Sequence, residues 1–427
     1  MNIIQIAWRN IISNPLNLLM SIILFGLGVG LISFLLLFNT QLKDKFDKNL
    51  AEIDLVVGAK GSPLQMILCN MYHIDNPTGN ITIKNASPLL KDLHPLIKKA
   101  IPLSLGDNYK SYRIVGTNHD IVDMYSGKLI KGELWKNDFE VTIGKTVADE
   151  TDLKIGDNFI SSHGFVEDDH AHDEHSFVVK GILDGTGTVM DQLIFTNTAT
   201  IWRVHEHAEK GDTTHTGSHE GHDHADKNPD HQHDNSNADL LHHPDQEITS
   251  VLIQYKSRTN FQALNFGRNI NENTDMQAAS PAIEINRLYN MIGVGTDALR
   301  GLAILIAIVS ALSIFISLFK SMRERKYELA LLRVMGAGRT KVFALIILEG
   351  LILAMIGFII GTIMSHIGME TVAKYLKADF RYSFTGWKWI SEEWIILVVS
   401  LVLGFVAALI PAIQAAKTDI NKTLSEK

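Results

Sequence analysis

The sequence predicts an α-helical membrane protein with four transmembrane helices and a large α+β extracytoplasmic domain inserted between helices 1 and 2. Three observations carry that prediction. Four apolar runs, Leu16–Phe38, Gly301–Phe319, Val342–Met364 and Trp394–Ile413, each approach or exceed the about 20 residues that cross a bilayer. A long polar stretch separates the first run from the second, whereas the other gaps are short. Seven Lys or Arg residues (Lys320, Arg323, Arg325, Lys326, Arg333, Arg339, Lys341) crowd between the second and third runs, a density that marks a cytoplasmic loop.

Taken in order, residues 1–15 read as a cytoplasmic interfacial helix, because Ile3, Ile4, Ala7, Trp8, Ile11 and Ile12 share one helical face before Pro15. The first transmembrane helix, 16–38, has an apolar core longer than the about 7–15 residues of a signal peptide and no small-x-small cleavage site behind it, so it is expected to be retained. Residues 39–296 form the extracytoplasmic domain. Strands are expected at Ile53–Val57, Ile81–Ile83, Tyr112–Gly116, Glu140–Ile143, Asn158–Ser161, Phe177–Ile182, Leu193–Thr196 and Ser250–Tyr255, with helices at Pro88–Ala100 and Asn260–Asn271. Their clustering places a strand-rich subdomain, 106–247, inside α/β flanks. The second transmembrane helix follows at 297–319, the basic loop at 320–341, the third helix at 342–366, a short extracytoplasmic loop at 367–392, the fourth helix at 393–414 and a cytoplasmic tail at 415–427. An even number of spans puts both termini on the side of the basic loop, and Lys417, Lys422 and Lys427 agree. Arg9 before the first span and Lys43, Lys45 and Lys48 after it point the other way, but long domains translocate largely regardless of charge.

The net charge of −8 means little, since acids and bases are segregated along the chain. The single Cys69 excludes an intramolecular disulfide framework and reads as a small buried apolar residue. Fourteen of the 18 histidines fall between His163 and His243, in two loops, 163–175 and 205–243, almost empty of apolar residues. Neutral imidazoles at close spacing suit Zn²⁺, Cu²⁺ or Ni²⁺, which makes His170, His172, His175, His205, His207, His219, His222, His224, His231 and His233 candidate ligands. A solvated polar loop and a pH-responsive patch are the competing readings, and the clustering favours metal. No cofactor is required by the sequence, and Zn²⁺ or another divalent transition metal is the one it suggests.

Within the spans, Gly26 with Gly30 and Gly357 with Gly361 form small-xxx-small pairs that let helices approach closely. Glu349 is the one charged residue inside the apolar runs, so it is either functional or paired with Arg339 or Lys341. No phosphate loop is present, Gly336–Lys341 being too short and wrongly ordered, and no nucleophile–base arrangement can be placed. No catalytic residue is assigned, no nucleic-acid partner is indicated beside membrane lipid, and any driving energy must come from another chain.

One stretch matches a family. Ser321–Gly350, with Glu324-Arg325, then Glu328-Leu-Ala-Leu-Leu-Arg333 and Gly336-Ala337, resembles the signature of the MacB/FtsX-type permeases, the membrane subunits of type VII ABC transporters. The tail Pro411–Leu424, the opening Ala7-Trp-Arg-Asn10-Ile and the pair of segments Asp152–Asp157 and Val179–Leu183 resemble other parts of the same family, so the likeness covers the chain apart from the His loops. The resemblance implies a homodimer, or a pair with a related permease, docked on two copies of a separate cytoplasmic ATPase. Loop 320–341 then becomes the coupling element, with Glu324, Arg325, Glu328, Arg333, Gly336 and Ala337 as ATPase-coupling residues and Leu329, Leu332 and Val334 packing on the partner. ATP-driven closure of the spans would move the outer domain, a process called mechanotransmission. The expected location is a bacterial inner membrane with a large periplasmic domain, which leaves room for a periplasmic or outer-membrane partner. Two related roles compete: an FtsX-like regulator of an extracytoplasmic enzyme such as a cell-wall hydrolase, and a lipoprotein-releasing permease. The His tracts depart from the family pattern and point to a metal-linked branch. The run Asp54–Leu64 has no role that its residues suggest.

Overall fold

The structure, a computed structural model, describes residues 3–12, 15–162, 171–211, 236–380 and 384–417. It opens with α1 (Ile3–Ile12) and α2 (Pro15–Leu50), then β1 (Leu55–Ala59), α3 (Pro63–Tyr72), β2 (Ile81–Thr82), α4 (Ile83–Leu90), β3 (Ile97–Tyr109) and β4 (Tyr112–Thr117). There follow α5 (Asp120–Met124), β5 (Leu129–Gly132), β6 (Glu140–Ile143), α6 (Lys145–Thr151), β7 (Asn158–Ser162), β8 (Ala171–Leu183), β9 (Ile194–Thr196) and α7 (Thr198–Gly211). The chain continues through α8 (Asn237–Leu240), β10 (Glu247–Ile248), β11 (Ser250–Tyr255), α9 (Phe261–Asn273) and β12 (Met276–Ala279). It closes with α10 (Pro281–Glu324), α11 (Lys326–Val334), α12 (Arg339–Phe380) and α13 (Glu392–Lys417). Two compact units result, one of Met1–Lys43 with Met291–Lys427 and one of Asp44–Asn290.

The Asp44–Asn290 unit is built on one ten-stranded sheet, in the order β12-β1-β11-β3-β4-β9-β6-β8-β5, with β7 pairing both β3 and β8. Two apolar cores line it. One gathers Val57, Ile83, Leu90, Val251 and Ile253, and the other Ile114, Val141, Ile143, Phe177, Val179 and Ile194. The 13-residue β3 joins the two halves, pairing β11 along Ile97–Leu103 and β4 from Leu103 to Tyr109 across an irregularity between Leu105 and Asn108. The expected inserted subdomain is therefore a continuation of the same sheet. The helix expected at Pro88–Ala100 is a correction: helix α4 ends at Leu90, and Ile97–Ala100 is strand. His94 takes the backbone N–H groups of Leu96 and Ile97 on its Nδ1, turning the chain so that Ala100 pairs with Ile253. Tertiary pairing overrides a helical-looking pattern here.

The two His-rich loops are also shorter than their composition suggests. Ala171–His175 belongs to β8, because the β7–β8 hairpin pairs Ser162 with Ala171, and backbone pairing needs no apolar side chains. Residues 205–211 continue α7, and on the far side Leu240 is buried while the His243 ring lies 5.8 Å from that of Trp202.

Run Asp54–Leu64 also finds its physical role. It is β1 followed by the start of α3, with Ser62 as N-cap accepting from Gln65 N and Pro63 in the first turn. A side chain at Gly61 would meet Thr78 at 2.8 Å.

Among the described residues of the other unit, four helices are long and apolar enough to cross a membrane. They overrun the apolar runs, since α10 has 44 residues and α12 has 42. Hydropathy marks the part a bilayer would cover, and helical hydrogen bonding does not stop at that edge. The small-xxx-small pairs meet as their spacing predicts: a Cβ on Gly30 would lie 2.9 Å from the Gly361 carbonyl, and one on Gly361 would lie 2.6 Å from that of Gly26. A second seam joins α12 to α13, where a Cβ on Gly404 would sit 2.5 Å from the Ala354 Cβ. Ser310 donates to the Leu24 carbonyl at 2.8 Å, tying α10 to α2.

Candidate functional site

The predicted coupling residues form a helical corner. Helix α10 ends at Glu324, Arg325 stands between it and α11, and the Leu329 N–H bonds back to the Arg325 carbonyl at 3.0 Å. At the other end, Gly336 N–H reaches the Arg333 carbonyl at 3.1 Å and Ala337 N–H reaches the Leu332 carbonyl at 3.0 Å. That nested pair of bonds requires a left-handed residue, and Gly336 has φ +97°. Gly336 and Ala337 are thus the stop signal of a nine-residue helix, a role set by backbone geometry.

Arg325 points inward, its Nη2 donating to the Asn10 carbonyl of α1 at 2.6 Å. Asn10 in turn donates its amide to Glu349 Oε1 on α12 at 2.7 Å, and the Arg325 charge acts on that carboxylate. The span acid is therefore bonded to Asn10, in place of the expected pairing with Arg339 or Lys341. It is 3 % exposed. Ala7 of α1 and Leu329 of α11 are buried with Val342, Leu345, Ile346, Ala412 and Ala415 around this node. Helix α1 is held in place by one buried face, while Ile4, Trp8 and Ile12 stay exposed along the other.

The outer face of α11 differs from expectation. Leu329 is buried inside this unit and Leu332 is half-buried, so of the three apolar residues assigned to a partner only Val334 is open. The exposed stripe consists of Tyr327, Leu331, Val334 and Met335, one face at helical spacing, with Glu324 and Glu328 exposed beside it. Sequence reasoning missed Asn10, Tyr327, Leu331 and Met335. The i, i+4, i+8 spacing of Tyr327, Leu331 and Met335 was a usable signal, whereas nothing local linked Asn10 to a residue so far along the chain.

Among the metal candidates, His170, His219, His222, His224, His231 and His233 lie outside the described residues. His172 and His175 fall on β8, and His205 and His207 on α7. Among the described residues no group of three His, Cys, Asp or Glu is placed to hold a metal ion. Cys69 is buried, and burial pushes its thiol up to about 11 against the opposing pull of Arg113, so it stays neutral.

Residues 300–420 match the FtsX-like permease C-terminal domain, and the chain carries that domain. A stretch of 137 residues, 32% of this chain, is 28% identical to an uncharacterized ABC transporter permease of Methanocaldococcus jannaschii, covering 34% of that protein. The chain thus spans about a third of the length of the curated relative it matches. Among solved structures, the extracellular domain of the noncanonic ABC-type transporter YknZ from Gram-positive bacteria aligns with 53% of this chain and 98% of its own, at 13% identity and a TM-score of 0.30.

Proposed function

We propose that this chain, with its FtsX-like permease domain, is the membrane subunit of an ABC transporter. A separate cytoplasmic ATPase binds its α11 corner and drives motion of the sheet unit by mechanotransmission. The α11 stripe carries the reading: Tyr327, Leu331, Val334 and Met335 are open on a helix whose two ends are fixed by Arg325 and Gly336. An exposed apolar stripe rimmed by charged residues of both signs suits a protein groove better than a lipid surface. On this reading Glu324, Arg325, Glu328, Arg333, Gly336 and Ala337 couple the ATPase, the chain acts as a homodimer in a bacterial inner membrane, and Asp44–Asn290 is periplasmic. Tagged full-length chain, purified in mild detergent, should co-isolate an ATP-binding subunit. Leu331→Glu with Met335→Glu should lose it by at least about tenfold, since burying two new charges costs more than about 1.4 kcal/mol. Retention of the ATPase by that variant would defeat the assignment.

The His tracts belong to the same proposal as a divalent-metal-binding element of the outer unit. Calorimetry of full-length chain with Zn²⁺ should show binding that disappears when His219, His222, His224, His231 and His233 are all replaced by Asn. Unchanged affinity would remove the metal link and leave the permease reading intact.

A further inference from the structure

At the end of α12 away from α11, a second buried acid has a different kind of partner. Glu393, in the first turn of α13, is wholly buried, and its Oε1 lies 2.9 Å from Nε2 of His366 on α12. Among the described residues its other oxygen, Oε2, has no hydrogen-bond partner. The His366 Nδ1 meets the Gly386 carbonyl. A carbonyl oxygen only accepts, so Nδ1 must carry a hydrogen. The Nε2···Oε1 contact then closes in two ways: an imidazolium N–H donating to a carboxylate, or a neutral carboxyl O–H donating to the Nε2 lone pair. Both contain one bridging proton. With none, a lone pair faces a carboxylate and the contact is repulsive.

The same histidine is tied to a loop through its other ring nitrogen. Gly386 N–H donates to Glu370 Oε2 of α12 at 2.9 Å, and a Cβ at Gly386 would lie 2.2 Å from the His366 carbonyl, so the loop backbone lies directly on α12. Gln41 of α2 takes the Thr385 N–H at 3.0 Å and returns its amide to the Thr385 carbonyl at 2.8 Å. The Trp389 ring stacks on His366 at 5.9 Å. Phe384–Ile390 is thereby fastened to α2 and α12, with Trp387 at 84% exposure outside.

We propose that His366 and Glu393 form a one-proton latch, a proton-binding site that fastens the α12–α13 loop while the bridge is occupied and releases it when the proton leaves. Its titratable neighbours are Glu370 on α12, Glu392 beside Glu393 on α13, and Lys388 in the loop, while α2 offers the neutral Gln41 amide. The latch is independent of the ATPase assignment, since it is built at the other end of α12.

The test uses full-length chain with Trp387→Cys carrying a nitroxide label, Cys69 being buried. Label mobility is recorded by electron paramagnetic resonance from about pH 6 to about pH 9, across neutrality, to follow the one proton that the pair shares. The unaltered latch should pass from immobile to mobile over about two pH units, as one proton leaves. Glu393→Gln should stay immobile throughout, because an amide can donate to the Nε2 lone pair or accept from imidazolium without a shared proton. Glu393→Ala and His366→Ala should be mobile at every pH. A flat profile for the unaltered latch overturns the proposal. So does a Glu393→Gln profile that follows the unaltered one, or that is mobile throughout. Should the alanine variants fail to fold, the glutamine variant still decides.

Discussion

Glu349 and Glu393 are both acids buried among membrane-type helices, one near each end of α12, yet the chain satisfies them differently. Glu349 takes an amide hydrogen from Asn10 and feels Arg325, whose guanidinium stays charged at any physiological pH. Glu393 faces an imidazole. The first contact closes without a shared proton, because the Asn10 amide brings its own hydrogen. The second depends on a proton. The partner residue decides whether the contact of a buried acid needs a shared proton.

The sharpest way to break that comparison is Glu349→Ala. It removes the carboxylate that balances Arg325 and leaves the guanidinium half-buried beside α1. Removing one partner of a buried charged set costs roughly 3 kcal/mol. Thermal unfolding of detergent-solubilised chain should show the loss. A next step is Gly361→Val, which acts on the seam between the two acids. Its Cβ would start 2.6 Å from the Gly26 carbonyl, and backbone cannot move aside as a flexible side chain can. Overpacking of about 1–3 kcal/mol is expected. Gly368→Ala meets only the edge of Phe34 at 3.8 Å and should be nearly neutral. Equal effects at the two glycines would dismiss the seam.

How much of this was legible follows the range of the interactions. The four apolar helices and the glycine pairs were readable because their signals are local: composition over about 20 residues and a four-residue repeat. Gly336 was readable as part of a motif, although its role as a left-handed helix stop needed the backbone. The sheet order was not readable. Residues of β3 look helical until β11, far along the chain, pairs with them. Both polar joints were missed for the same reason: Asn10 with Glu349, and His366 with Glu393, are contacts between segments whose spacing carries no signature. His366 and Glu393 also sat at the very edges of predicted spans, where they read as boundary residues.

The sheet unit supplies a reference acid held mainly by backbone N–H groups. Burial would raise Glu140, but the Asn137 and Lys136 backbone N–H groups, the Asn137 amide and Lys180 outweigh it and bring its pKa from 4.5 to about 2. A depressed carboxylate contributes stability that is present above about 4.5 and is lost as pH falls through about 2. Glu140→Gln should therefore destabilise the protein at neutral pH, and its unfolding curve should converge on that of the parent chain toward pH 2. A constant gap across that range would mean that shape, not charge, matters at this position.

Asn10→Ala is expected to have a modest effect, and it tests the Glu349 joint most finely. The substitution removes the amide that donates to Glu349 but leaves the Asn10 backbone carbonyl, which is what Arg325 grips. Arg325 therefore keeps its place and continues to act on the carboxylate. The loss should be that of one hydrogen bond to a charged group whose second influence persists, about 1 kcal/mol. If Asn10→Ala were as damaging as Glu349→Ala, the asparagine would be the centre of the joint and Arg325 a bystander. A double variant distinguishes the two cases: once Glu349 is alanine, Asn10→Ala should cost almost nothing further, because the bond it removes no longer exists.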